Sequence, residues 1–190
     1  PLPSDETTVQ MYKLAQQILT EAGYQHYEIS NYAQPGHQCR HNRVYWENRP
    51  YYGFGMGAAS YVAGTRFTRP RTRQQYYQWV ESGCIVDSPP QSADDILLET
   101  LMLGLRLADG LDLSKLAQQF GENTLKKIWN CLQPYYRLGW VEVLGIDGIV
   151  DIPDSQNFPK TGQLKLTDPE GFLFSNTILA ALFKQLEDKP

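Results

Sequence analysis

The chain has 190 residues, 42% of them hydrophobic and 20% charged, and a formal net charge of −4. This is an ordinary globular composition, long enough for one average domain or two small ones. The acidic balance speaks against a generic nucleic-acid binder, and no apolar run reaches the ~18 residues of a membrane span. Three widely spaced cysteines, Cys39, Cys84 and Cys131, are no disulfide framework, so a reducing, cytoplasmic location is expected. No signal peptide is visible in the polar start Pro1-Leu2-Pro3, which lacks Met and reads as the start of a fragment.

In chain order, Ser4 is placed to cap a helix with Asp5 and Glu6 in its first turn. Val9, Tyr12, Ala15, Ile18, Leu19 and Ala22 recur at helical spacing, and Gly23 is a natural stop. Tyr24 to Tyr32 alternates like a strand, so helix, turn and strand together predict half of a βα repeat. Gln34-Pro35-Gly36 ends it, and His37 to Trp46 becomes the loop that faces a ligand in such folds. A second strand is expected over Tyr51–Ala63, containing the run Gly53-Phe54-Gly55-Met56-Gly57-Ala58. Four arginines come next, at 66, 69, 71 and 73, and then a short helix from Thr72 to Glu81.

Ser88-Pro89-Pro90-Gln91 is the clearest boundary, because neither helix nor strand continues through it. It divides the chain into an expected unit 1–87 and a second unit 92–190. Charge divides there too, with eight Lys/Arg against seven Asp/Glu over 1–91 and nine against fourteen over 92–190. Ser92 with Asp95 predicts a capping box, and Ile96 to Leu107 a helix apolar on nearly all sides. Asp112 starts a further helix closed by Gly121, and Asn123 or Thr124 another closed by Gly139. A hairpin around Gly145-Ile146-Asp147 and a short strand Leu164–Leu166 come after them. Thr167 with Glu170 is then expected to cap the last helix. The order helix, helix, hairpin, helix is a winged-helix pattern. The expected class is therefore α+β, an α/β part followed by a mainly helical one.

Chemistry concentrates between His37 and Ala58. His37, Cys39 and His41 would share a face of an extended backbone and could converge on a metal, but zinc sites pair their ligands and no second pair exists. His37 as a solvated loop residue and Cys39 as a small apolar one is the plainer reading. His41 differs, lying between Arg40 and Asn42 with Tyr45 and Trp46 beyond. An imidazole, a guanidinium and flat rings are what a tetrapyrrole site requires; a loop-holding histidine is the alternative. The glycine run lacks the following capped helix of a dinucleotide fingerprint and the Gly-Lys-Ser/Thr of a phosphate loop. It marks either a bulge or a close backbone approach to a ligand. The arginine group is either a solvated face or a binder of propionates or phosphates. DNA binding by the winged helix is disfavoured, since its recognition helix offers only Lys126, Lys127 and Arg137.

The string Tyr27-Glu-Ile-Ser-Asn-Tyr-Ala, with Pro35-Gly36, Cys39-Arg40-His41-Asn42, Tyr45-Trp46 and Tyr52-Gly53-x-Gly55-x-Gly57-Ala58, resembles the HemW family. These are radical S-adenosylmethionine proteins similar to oxygen-independent coproporphyrinogen III oxidase, and the likeness extends from Ser92 through their C-terminal helical region. The resemblance implies a heme chaperone more than an oxidase. It assigns heme to the complete motif His41-Asn42-Arg43-Val44-Tyr45-Trp46, within which residue chemistry makes His41 the candidate iron ligand and Arg40 a candidate propionate partner. It also makes Gly55, Met56, Gly57 and Ala58 neighbours of S-adenosylmethionine at the end of the radical-enzyme barrel. The implied partners are heme or porphyrin and heme-acceptor proteins, with neither nucleic acid nor a membrane span. One departure stands out. The family's Cys-x-x-x-Cys-x-x-Cys, which holds a [4Fe-4S] cluster, is missing, so cluster and radical chemistry are not expected of this chain alone. An alternative is a fragment of a true porphyrinogen oxidase.

Overall fold

The Ser4 side chain accepts a hydrogen bond from the Thr7 amide and starts α1 (Asp5–Glu21), as its sequence position predicts. The computed structural model describes residues 2–89, 91–145, 148–149 and 158–187. Val9, Tyr12 and Leu19 of α1 are half-buried, but Ile18, expected on the same face, is 55% exposed together with Met11 and Leu14. The helix leans on the rest of the chain along a narrow stripe only, and none of its residues is fully buried.

The expected strand Tyr24–Tyr32 is two strands. β1 (Gln25–Glu28) pairs antiparallel with β2 (Asn31–Ala33) across a two-residue reversal. The buried Glu28 carboxylate turns back to accept from the Ser30 amide and from the Asn31 side-chain amide, which holds the reversal in place of an extended Ile29-Ser30. Among the described residues every strand pairing is antiparallel, and none is the parallel partner of a βα repeat.

The ligand-facing loop is also partly helical: α2 (Arg40–Trp46) occupies its second half. The strand expected over Tyr51–Ala63 shrinks to β3 (Ala59–Val62), which turns through Ala63-Gly64 into β4 (Thr65–Thr68). Both turn residues have positive φ, 50° and 75°, the geometry that suits the twist of a tight hairpin. The glycine run lies outside the strand because Gly55 and Gly57, at φ 89° and 67°, fold it into a turn. Thr72 then caps α3 (Arg73–Glu81).

Beyond the proline boundary the expected caps are present. Ser92 and Asp95 form the complete capping box of α4 (Ala93–Gly104). Asp112, the last residue of the short β5 (Leu111–Asp112), caps α5 (Leu113–Phe120), and Gly121 separates it from α6 (Glu122–Arg137). β6 (Val141–Gly145) and β7 (Gly148–Ile149) form the hairpin, whose expected continuation over 150–152 lies outside the described residues. β8 (Gln163–Leu166) lies between β5 and β6, giving the order β5-β8-β6-β7. This helix–strand–two-helix–wing order is the winged-helix arrangement foreseen, with β8 central rather than added at an edge. Thr167 accepts from the Gly171 amide and opens only the one-turn α7 (Glu170–Leu173). The last long helix, α8 (Ser175–Glu187), starts separately, and Glu170 bonds Lys13 at 2.8 Å.

The core explains this second part. Leu125, Ile128, Trp129 and Leu132 form one face of α6, at the i, i+3, i+4, i+7 spacing of an amphipathic helix. They pack with Leu97 and Leu101 of α4, Ile178 and Leu182 of α8, and the inward residues Val141, Val143, Leu164 and Leu166 of the sheet. Each fully buried aliphatic or aromatic side chain contributes roughly 1.5–3 kcal/mol. The first part docks on this core by its hairpin. The Ala108 amide donates to Tyr27 oxygen and the Ile29 amide to Arg106 oxygen, both at 3.0 Å. His26, buried between the stacked Tyr32 ring and Phe172, meets the Asp168 carboxylate at 2.9 Å.

Candidate functional site

On α2 the positions of the motif divide into two faces. His41 and Tyr45 are one turn apart, and their rings meet edge to face at 4.8 Å. Tyr45 in turn meets Tyr51 edge to face at 4.6 Å, a three-ring ladder that continues from α2 onto the glycine hairpin. His41 is exposed and makes no hydrogen bond or ion pair among the described residues. Arg40 is exposed as well.

Trp46, five residues after His41, lies about 140° around the helix. Its indole faces the Arg106 guanidinium at 4.6 Å, on the α4 side. The two aromatic residues of the motif therefore do not form a single wall. Asn42 is half-buried between them in sequence. His37 stays with its own loop, its Nδ1 3.1 Å from Pro35 oxygen. Among the described residues no group of three His, Cys, Asp or Glu side chains could hold a metal ion, so His37, Cys39 and His41 are not brought together. An extended backbone would have aligned them; the start of α2 at Arg40 rotates His41 away.

Arg43, inside the motif, anchors the helix. Its guanidinium contacts Glu47 at 2.6 Å and Asp109 at 2.7 Å and reaches Gln38. Burial would disfavour its charge, but the hydrogen bonds to Asp109 and Glu47 outweigh it and leave its pKa raised. The arginine group proves to be two internal clamps and two exposed residues. Arg66 pairs with Glu99 at 2.9 Å, donates to Tyr51 hydroxyl and Asn48, and lies over the Tyr61 ring at 4.7 Å. Arg69 donates at 2.7 Å to the fully buried Ser60, which also accepts from the Gly53 amide. Arg71 and Arg73 are the exposed pair.

These bonds shape the glycine run. A Cβ at Gly53 would come within 2.1 Å of Ala59 oxygen, so only glycine fits there. Gly55 has open space around its Cβ position, Gly57 donates to Pro70 oxygen, and Met56 is 51% exposed. Ala58 accepts from the Arg69 amide and closes the turn. Tyr51 and Arg106 are not distinguished as site residues by sequence, whereas Arg66 is, within the arginine group. The one available signal was Arg106, a single charge in an apolar run.

Comparisons with known proteins give the chain's relatives. The family model described as the HemN C-terminal domain matches residues 91–145. The heme chaperone HemW of Synechocystis sp. is 46% identical over 191 residues, covering 98% of this chain and 46% of that protein. Over nearly its whole length the chain is similar to part of a HemW-family protein. The HemW of Lactococcus lactis is 34% identical over 119 residues, 63% of this chain and 31% of its own length. The chain thus spans less than half the length of these HemW relatives. The solved coproporphyrinogen III oxidase HemN of Escherichia coli, described as a radical SAM enzyme, superposes with a TM-score of 0.64 at 19% identity. That match covers 95% of this chain and 42% of HemN, and it concerns the fold. No helix among the described residues is long and apolar enough to cross a membrane.

Proposed function

We propose that this chain is the heme-binding C-terminal part of a heme chaperone, which receives heme on α2 and passes it to acceptor proteins. The observation that carries this reading is His41, an exposed imidazole without a partner among the described residues, set against a ladder of rings inside the motif. A neutral imidazole is a good ligand for heme iron, and an exposed one is accessible to it. Arg40 and the free Arg71 offer cations to propionates, while Arg66 and Arg69 are engaged in holding the hairpin. Heme, when bound, supplies the open coordination position; the chain supplies the base and the aromatic surface.

In this reading residues 1–87 present the site and 92–190 support it, with cytoplasmic location and S-adenosylmethionine near Gly55, Met56, Gly57 and Ala58 in the longer protein. A [4Fe-4S] cluster does not fit the residues at hand. Cys39 and Cys84 are exposed, Cys131 is half-buried on α6, and no metal-holding group forms among the described residues. The rival reading, part of a porphyrinogen oxidase, draws on the likeness to HemN. Because that likeness is one of fold, it adds nothing on substrate.

The test is titration with hemin. His41→Ala is expected to lose the Soret shift of the parent and weaken binding at least about tenfold, since the iron has lost its ligand. His37→Ala should titrate like the parent. A purely loop-holding His41 would instead lower the Tm and leave the spectrum of the folded protein intact.

A further inference from the structure

On the Trp46 side of α2 lies a crevice of about 420 Å³, within the range of small-molecule sites. It is bounded by the end of α2, the last turns of α4, and the β5–α5 corner. Its apolar walls are Trp46, Leu107, Leu111 and Leu116. Gly104 contributes to its existence: a Cβ there would meet Leu111 Cδ2 at 2.2 Å, so Leu111 would be pushed from its seat. Lys115 and Gln119 line the crevice from α5, one turn apart.

The charges around it are unequal in what they are free to do. Glu47 is already neutralised, by Arg43 at 2.6 Å and by Arg49 at 2.8 Å. Asp112 caps α5, accepting from the Ser114 and Lys115 amides at 2.8 and 3.1 Å. Lys115 makes no ion pair among the described residues, and its ammonium is left to attract an anion. An indole, three leucines and one free cation select a ligand with a flat apolar body and an acid group at its edge.

We propose that this crevice is a second station for the porphyrin, taking its carboxylate edge between Trp46 and α5 with Lys115 on the carboxylate. It rests on the reading of the chain as a heme carrier. His41 and the crevice lie on different faces of α2, so the two stations are separate, and the crevice does not require iron. Two stations on one helix give a carrier a place to hold the ligand's acid edge that is independent of iron coordination.

Metal-free protoporphyrin IX separates the stations, because it has both carboxylates and nothing for His41 to ligate. Its fluorescence on titration with the chain should report saturable binding. The dimethyl ester should bind about tenfold more weakly, the size of one charge-assisted hydrogen bond, and Lys115→Glu should weaken the acid by a similar factor. Gln119→Trp, which fills the mouth, should abolish binding. Both positions are exposed, so the Tm of these variants should match the parent. His41→Ala, which removes the iron ligand, should lose the hemin spectrum. Absence of protoporphyrin binding, ester and acid binding equally, or Lys115→Glu and Gln119→Trp titrating like the parent, would each overturn the second station. If instead hemin coordination at His41 fails but protoporphyrin binding stays sensitive to Lys115→Glu, the His41 reading falls and the crevice stands.

Discussion

The two sides of the proline boundary are stabilised by different physics. Among the described residues, every buried apolar side chain except Tyr27 and Ala33 lies after residue 90. The second part is held by a packed core, in which α4, α6, α8 and the four-stranded sheet share one interior. The first part contains two separate two-stranded sheets, and its helices α1, α2 and α3 hold no buried residue. What orders it is polar and aromatic: Arg66 on Glu99, Arg69 on Ser60, Arg43 on Asp109, His26 on Asp168, and rings packed edge to face along α2. Such contacts give geometry rather than large stability, since partly exposed ion pairs contribute little each. A motif on that surface is positioned by the core without being part of it.

The largest effect that would test this division comes from the core. Leu132→Ala empties a site with 0% exposure and should cost ~2–5 kcal/mol in urea unfolding. Tyr77→Ala, at a position 58% exposed on α3, should stay within about 0.5 kcal/mol. Equal losses would mean that the first part has a core of its own. Next come two glycines with the same local obstruction. A Cβ would sit 2.1 Å from Trp140 oxygen at Gly171 and 2.1 Å from Ala59 oxygen at Gly53. Gly171→Ala should therefore lower global stability by about 1–3 kcal/mol, while Gly53→Ala should rearrange the 53–58 turn with little change in Tm. NMR shifts confined to that turn are the expected signature.

A smaller effect is expected from Arg66→Ala, roughly 1 kcal/mol. Because the loss is local, it should appear as faster hydrogen exchange at the Tyr51 and Tyr61 amides, which bond each other's carbonyls at 2.8 and 2.9 Å. A uniform drop in protection over α6 would contradict it. The smallest is a pH effect on the hairpin. Burial, with the Asp168 charge adding to it, pushes the Tyr32 hydroxyl up from 10.0 to about 12, and burial raises Tyr12 likewise. The folded state holds these protons more tightly than the unfolded one. Their contribution is complete below pH 10 and is lost as pH rises toward 12. Absorbance at 295 nm should show late-titrating tyrosines, one fewer of them in Tyr32→Phe.

The parts of this protein that sequence determined are those governed by neighbours along the chain. Ser4, Thr72, Ser92 and Asp112 cap helices where their positions require, because a cap is a bond to an amide two or three residues on. The face of α6 follows from helical period alone. The motif from His41 to Trp46 was legible as well, as a set of residue types. Its arrangement was not. That α2 begins at Arg40, turning Trp46 toward Arg106 and leaving His41 outside, depends on Arg43 reaching Asp109, 66 positions away. That Tyr24–Tyr32 doubles back depends on Glu28 being buried against the Leu107 segment, where its carboxylate must find amides nearby. Arg66 and Arg69 looked like ligands or solvated charges until Glu99 and Ser60 were seen to accept from them or pair with them. Local bonding can be read from local sequence; which face of a helix is outward, and which charge is free, are decided by partners that only the folded chain brings near.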